Sequence, residues 1–190
     1  MAPRVRIETA RLLLRDWKDE DAAPFAALNA DPRVREFFPT VLTRAESDAA
    51  MAAARALIAE DGYGKYAVEE KASGEFIGYI GLAAVDFEVP FAPATEIGWR
   101  LRREAWGSGY ATEGARAVVA EAFDRLGFDA LVSFTAEWNR PSRRVMEKLG
   151  MTHDPAEDFD HTLLPPGHKL RRHVLYRLSR NGWLNPSGAG

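Results

Sequence analysis

Gly107 and Gly109 stand one residue apart, between a segment that alternates apolar and polar residues and one that repeats apolar residues at helical spacing. In the first segment Ile97, Trp99 and Leu101 fall on one side and Glu96, Gly98 and Arg100 on the other, which is a strand pattern. In the second, Ala111, Ala115, Val118, Val119, Ala122, Phe123 and Leu126 form one helical face, with Gly127 placed as a C-terminal cap. The first amides of such a helix have no intrahelical acceptor, and its dipole adds partial positive charge, so the loop suits a phosphate. Glycine at 107 and 109 removes side chains that would hold a phosphate off the backbone. A P-loop would need Lys followed by Ser or Thr at the helix start, which this segment lacks, and a Rossmann fingerprint would need glycine where Thr112 stands. His161, His168 and His173 with Asp154, Asp158 and Asp160 bear groups that could ligate a metal, yet no HExxH or comparable spacing organises them, and no metal is expected.

These residues need elements to hold them. Residues 11–17 read as a strand, and Asp19-Glu-Asp opens a helix that tolerates Pro24 in its first turn and ends before Asp31-Pro32. Phe37-Phe38-Pro39 follows as a loop or short helix. Thr43-Arg-Ala-Glu46 is a capping box, and the Ala-rich helix behind it runs to about residue 60. Residues 65–70 and 75–85 read as a hairpin with its turn at Lys71-Ala-Ser-Gly74. Phe76-Ile-Gly-Tyr-Ile-Gly-Leu-Ala is apolar on both faces and reads as a central strand. Strands at 131–135 and 173–178 flank a helix at 141–149 and an acidic hairpin loop at 154–169.

Arg103-x-x-x-Gly107-x-Gly109-Tyr-Ala-Thr-Glu resembles the pyrophosphate loop of the GNAT superfamily, the acyl-CoA-dependent N-acyltransferases. Asn139-Arg-Pro-Ser142-Arg-Arg-Val-Met-Glu147-Lys148-Leu149-Gly150-Met151 is similar to the segment in which, in that family, an Asn at a strand end precedes a short helix beside the CoA arm. Glu8-Thr9-Ala10-Arg11-Leu12-Leu13-Leu14-Arg15 and Arg172-His173-Val174-Leu175-Tyr176-Arg177-Leu178 resemble the first and last strands of the branch that acetylates ribosomal-protein N-termini. The four pieces occur in the family's order. The resemblance implies a three-layer α/β (α+β) fold: a mixed, mostly antiparallel sheet of six to seven strands, flanked by helices and splayed between its fourth and fifth strands.

It also implies an acetyl-CoA-dependent N-acetyltransferase that moves the acetyl group directly to a primary amine, of a protein N-terminus or a small molecule, in a ternary complex. Arg102, Arg103, Trp106, Gly107, Ser108, Gly109, Tyr110 and Ala111 would hold the CoA pyrophosphate, and the strand edge with Trp99 and Leu101 would pair with pantetheine. An amide near Trp99 would polarise the acetyl carbonyl. Asn139 and Ser142 would meet the CoA arm. Glu96 begins that strand on the Gly98 side, where the amine should arrive, and is the first choice of general base; His161 and His173 are the alternatives. Many family members carry Tyr where this chain has Met146, which leaves Ser142 or Tyr176 to protonate the departing thiolate. Phe37, Phe38 and Glu96 would border the acceptor groove. Glu113, Glu147 and Lys148 read as structural.

Composition sets the outer limits. Of 190 residues, 46% are hydrophobic and 28% charged, an ordinary globular balance. Residues 1–180 are expected to form one acyl-CoA N-acyltransferase domain, with 181–190 a flexible tail. A net charge of -3 argues against a general nucleic-acid binder. With no Cys there is no disulfide framework and no thiol nucleophile, which fits a cytoplasmic protein. Neither a signal peptide nor a membrane span is read. The expected partners are acetyl-CoA and an amine; a homodimer is left open. Two other functions fit the same loop: a non-catalytic acyl-CoA-binding module or regulator, and a nucleotide-binding protein, against which the missing Lys argues.

Overall fold

The computed structural model describes residues 4–185. Its elements run β1 (Val5–Glu8), β2 (Leu12–Arg15), α1 (Ala22–Ala30), α2 (Arg44–Asp61), β3 (Lys65–Glu70), β4 (Phe76–Ala84), β5 (Thr95–Leu101), α3 (Tyr110–Asp124), β6 (Ala130–Ala136), α4 (Arg140–Lys148), β7 (Thr152–His153), β8 (Phe159–Asp160), β9 (Arg172–Ser179) and α5 (Arg180–Leu184). The fold is mixed α/β, with an open, mostly antiparallel sheet and flanking helices, as the resemblance implied. Seven strands have four residues or more; β7 and β8 are two-residue pieces. The chain divides into two compact units, Met1–Leu82 with Gly98–Val118, and Ala83–Ile97 with Val119–Gly190, so that β4, β5 and α3 each lend residues to both.

In the first unit β1, β2, β3 and β4 form consecutive antiparallel pairs. Leu12, Leu14, Tyr66, Val68, Ile77 and Ile80 are at most 1% exposed and make the core of that sheet. Helix α2 turns Met51, Ala54 and Ile58 inward. Its start is the capping box read from the sequence: Thr43 Oγ1 accepts from the Glu46 amide, and Glu46 Oε2 accepts from the Thr43 amide at 2.7 Å. Strand β4 needs glycine for a close approach: a Cβ on Gly78 would lie 2.1 Å from the Arg100 carbonyl oxygen. Arg15, buried, forks onto Asp21 at 2.7 and 2.9 Å and gives Nε to Glu69, so this buried cation is hydrogen-bonded and paired with carboxylates.

In the second unit β6 and β9 pair antiparallel from Ala130↔Ser179 to Ala136↔His173. Strand β5 joins β6 in parallel at a single registered position, Glu96↔Val132, the short ladder that a splayed pair leaves. Strands β7 and β8 pair with β9. β8 lies inside the segment read as a loop, because two residues are too few to show alternation. Val85, Val89, Val132, Phe159 and Leu175 form a core cluster with Phe87, Phe91 and Phe134 packed on it. Arg180–Leu184 form α5, capped by Ser179 Oγ accepting from the Gly182 amide, so residues 181–184 of the expected flexible tail are helical. Residues 186–190 of that tail lie outside the described residues. Among the described residues no helix is long and apolar enough to cross a membrane.

Candidate active site

The glycine loop sits where the sequence places it, between β5 and α3. A short 3-10 turn, Arg103–Ala105, leads into it. Gly107 and Gly109 both take left-handed backbone, φ +78° and +82°, a region open to glycine and strained for other residues. A Cβ at Gly107 would meet nothing within 4 Å, and one at Gly109 only Arg11 Nη2 at 3.6 Å, so both positions face free space. Helix α3 begins at Tyr110, and its first turn supplies the amides that an anion requires. Open backbone at two left-handed glycines before a helix N-terminus is the cradle that a pyrophosphate fits.

Side chains around the loop brace it. Trp106 gives its indole N–H to the Leu101 carbonyl at 2.8 Å and lies beneath the Arg103 guanidinium, 4.8 Å from its ring centroid. Arg102 is tied to Glu75 at 2.6 Å. The Leu101 carbonyl therefore already accepts one side-chain hydrogen bond and keeps a second lone pair. Trp99 is half-buried.

The β1–β2 turn clamps α3 from below the loop, which the sequence reading missed. Glu113, read only as a first-turn acid, accepts from Thr9 Oγ1 at 2.7 Å, from the Arg11 amide at 2.9 Å and from Arg11 Nε at 2.7 Å. Burial would raise its pKa, but these donors outweigh burial and hold its carboxyl below the usual range. Arg11 also donates to the Ser108 carbonyl at 2.9 Å and covers the Tyr110 ring. The Tyr110 hydroxyl donates to Glu70; that bond lowers the Glu70 carboxyl and raises the phenol. One Arg thus touches both ends of the segment from 108 to 113.

Phe38 lies between cations rather than in an apolar core. The Arg35 and Arg100 guanidinium carbons stand 4.5 and 4.1 Å from its ring centroid. Phe37 is half-buried.

In the second unit Asn139 is the N-cap of α4. Its Oδ1 accepts from the Ser142 amide at 3.3 Å and its Nδ2 donates to Thr135 Oγ1 at 2.8 Å, which leaves one Nδ2 hydrogen. The Ser142 amide is therefore the donor that the Asn139 cap satisfies. Met146 is buried at 2% exposure. The Tyr176 ring is buried against His153 at 4.9 Å, and its hydroxyl accepts from Arg143 and donates to Glu147 at 3.1 Å. Glu96 is half-buried at its registered position beside Val132.

The alternative bases lie in an aromatic cluster. His161 stacks on Phe87 at 4.5 Å, and His173 sits 4.9 Å from His161. Burial pushes His161 down, and it pushes His173 down to about 4, helped by the His161 charge and opposed by the hydrogen bond to the Arg171 carbonyl. A base that weak abstracts protons poorly at neutral pH. His168 Nδ1 is occupied by the Leu170 amide. The acids of the 154–160 loop have internal uses: Asp154 caps a 3-10 turn, Asp158 pairs with His153 at 2.8 Å, and Asp160 faces Arg171 and Arg172. Among the described residues no three acids, histidines or cysteines gather as a metal would require.

With the loop, its glycines and the α4 cap in place, likeness to known proteins gives the class. The model of the acetyltransferase (GNAT) domain matches residues 11–152, and the chain belongs to that family of acetyltransferases. A relative is the FsC-acetyl coenzyme A-N(2)-transacetylase of Aspergillus fumigatus, 38% identical over 117 residues; these are 60% of this chain and 49% of that enzyme, so the chain spans about half its length. YkkB of Bacillus subtilis, an uncharacterised protein, is 31% identical over 80% of this chain and 87% of its own. Among solved structures, an acetyltransferase of Agrobacterium tumefaciens superposes with a TM-score of 0.72 at 28% identity, covering 94% of each chain. The ribosomal-protein-S5-alanine acetyltransferase of Vibrio fischeri shares the fold, with a TM-score of 0.74 at 18% identity over 95% of this chain and 99% of that one.

Proposed function

We propose that the chain acts as a single acyl-CoA N-acyltransferase domain that transfers acetyl from acetyl-CoA directly to a primary amine within a ternary complex. The observation that carries this is the loop: two left-handed glycines with open backbone at the start of α3, in a chain of the GNAT family. The relative from Aspergillus fumigatus is named for acetyl coenzyme A, and a ribosomal L7/L12 acetyltransferase of the same fold was solved with coenzyme A.

In this reading the backbone from Gly107 to Ala111 holds the pyrophosphate, with Arg102, Arg103, Trp106, Ser108 and Tyr110 shaping it. Backbone groups near Trp99 and Leu101 align pantetheine, and the spare Nδ2 hydrogen of Asn139, with Ser142, meets the CoA arm. Acetyl-CoA supplies the activated acyl group, and holding it in line with the amine supplies a large part of the rate. Glu96 takes the proton from the amine, directly or through one water. Ser142 is the favoured donor to the thiolate, since the Tyr176 hydroxyl is already engaged with Arg143 and Glu147. Phe37 and Phe38 border the acceptor. The protein works in the cytoplasm, on an amine, without metal.

The test is turnover of acetyl-CoA over a panel of amines, read as free thiol. Glu96→Gln keeps size and hydrogen bonding but removes the base; turnover should fall by about two orders of magnitude or more, with acetyl-CoA affinity near wild type. Acetyl-CoA that binds while no amine reacts would favour a non-catalytic binding module instead. Normal turnover by Glu96→Gln would remove Glu96 from the mechanism.

A further inference from the structure

Arg35 and Arg100 are two guanidinium cations brought to one aromatic ring with no carboxylate between them. Arg35 is 9% exposed, and the one hydrogen bond that its guanidinium makes among the described residues is Nε to the Thr40 carbonyl at 2.8 Å. Arg100 is half-buried and gives Nη1 to Asn29 Oδ1 at 2.9 Å, while its Nε is buried with no acceptor. None of the ion pairs among the described residues includes either one. The carboxylate whose charge reaches Arg35 is Glu46, and that group is spent on the Thr43 cap. Asn29, fully buried, is itself held by Ser47 at 2.9 Å, which fixes the Arg100 contact from behind.

Such an arrangement is costly to hold out of water. Burial, and next the charge of Arg100, push the Arg35 guanidinium down to about 10. An unpaired buried cation and an unmade Nε hydrogen bond both call for an anion. Aromatic faces of Phe38 and Tyr79, 4.1 and 5.3 Å from the Arg100 guanidinium carbon, give partial relief only. A planar carboxylate fits a guanidinium edge through two parallel hydrogen bonds, and the free Nε belongs to such an edge. On β5, alternation places Arg100 on the Gly98 side, the side the sequence reading gives to the acceptor, whereas phosphates have their own place at Gly107 and Gly109.

We propose that Arg100, with the added charge of Arg35, binds a carboxylate carried by the acceptor, so that the substrate is an amine that also bears a carboxylate. This rests on the acetyltransferase reading above. The Phe38 ring keeps Arg35 near Arg100, and Arg35 contributes its field rather than direct contact.

The experiment compares kcat/KM for a panel of amino acids and their carboxamides in the wild type, Arg100→Gln, Arg35→Gln and Arg100→Lys. Differences in amine basicity between acid and amide cancel when the acid-to-amide ratio is compared across variants. That ratio should fall at least tenfold in Arg100→Gln, less in Arg35→Gln, and return in part in Arg100→Lys. A ratio that stays within twofold of wild type in both glutamine variants overturns the proposal. A second arm needs no turnover: N-acetylglycine and N-acetylglycinamide are titrated calorimetrically into protein saturated with CoA. Binding of the acid alone, lost in Arg100→Gln, supports the site even if no amine is acetylated and the enzymatic reading falls. Equal binding of both compounds overturns it. Inorganic phosphate that displaces N-acetylglycine at equal or lower concentration overturns the carboxylate assignment in favour of a phosphate. Thermal melts with and without acetyl-CoA show that each variant is folded.

Discussion

The loop assignment makes a quantitative claim that a single-atom change tests. Replacing Gly109 by Ala adds a Cβ to a residue at φ +82°. The left-handed region costs an L-residue roughly 1–2 kcal/mol. The new atom meets only Arg11 Nη2 at an ordinary 3.6 Å, so no steric cost adds to the strain. For a chain of this size about 1 kcal/mol moves the melting temperature by roughly 2–4 °C, and the expected drop is therefore roughly 2–8 °C. Gly127→Ala is the matched control: its φ is +75°, a Cβ there meets nothing within 4 Å, and it lies at the opposite end of α3 from the loop. Both variants should lose similar stability. Acetyl-CoA at about 100 times its Kd should stabilise the wild type by about 2.7 kcal/mol, which is roughly 5–11 °C. The Gly127→Ala variant should keep that rise. In Gly109→Ala it should shrink, and in Gly109→Val vanish, because the side chain occupies the space of the phosphate. Differential scanning fluorimetry across an acetyl-CoA titration measures all three. If Gly109→Val keeps the ligand shift of Gly127→Ala, the loop does not hold the pyrophosphate. A loss of stability at Gly109 far beyond that at Gly127 would refute the assumption that only backbone strain is at stake.

Three further outcomes follow from the described contacts. Asn139→Ala should lower stability by about 1 kcal/mol through loss of the α4 cap and should weaken acetyl-CoA binding; Asn139→Asp should restore the cap but not the affinity, and an Asp variant with full affinity would reduce Asn139 to a cap. Phe38→Ala should change which amines are accepted more than it changes acetyl-CoA affinity; a fall in stability of a few kcal/mol with an unchanged acceptor profile would make the ring simple packing. His173, at about 4 in the folded protein against 6.5 when free, binds its proton more readily unfolded, so its stabilisation is present above pH 6.5 and is lost as pH falls toward 4. That loss amounts to roughly 3 kcal/mol at most, and the difference in urea-unfolding free energy between wild type and His173→Phe should change by about this much over the window. A constant difference across the window would mean that His173 does not titrate as its burial requires.

Local signals made much of the fold legible. The 43–46 capping box, the alternation of residues 96–101 and the helical face from Ala111 to Phe123 each depend on neighbours in sequence, and each is present in the structure. Strand β1 was hidden for a local reason as well: Thr9-Ala10-Arg11 contains no glycine, proline or asparagine to mark a turn. What orders that turn is Glu113, more than 100 residues away, and no pattern in a single sequence announces such a bond.

The candidate site divides along the same line. Glycines before a helix are readable because their chemistry is backbone chemistry, set by the two residues themselves. Arg100 was visible as one polar position in an alternating strand, and nothing near it in sequence distinguishes it from a solvated charge. Its meaning comes from Arg35 and Phe38, which reach it from the segment between α1 and α2, and from Asn29 near the end of α1. A charge on a strand is ordinary; two cations on one ring with a buried donor to spare are not, because like charges taken out of water oppose each other and the fold. Such a pair is retained at a cost to stability unless an anion arrives. The cost is itself measurable. Either Arg→Gln change at this ring should raise the melting temperature of the protein alone while diminishing its choice of acids over amides, and a residue kept only for packing would show neither effect.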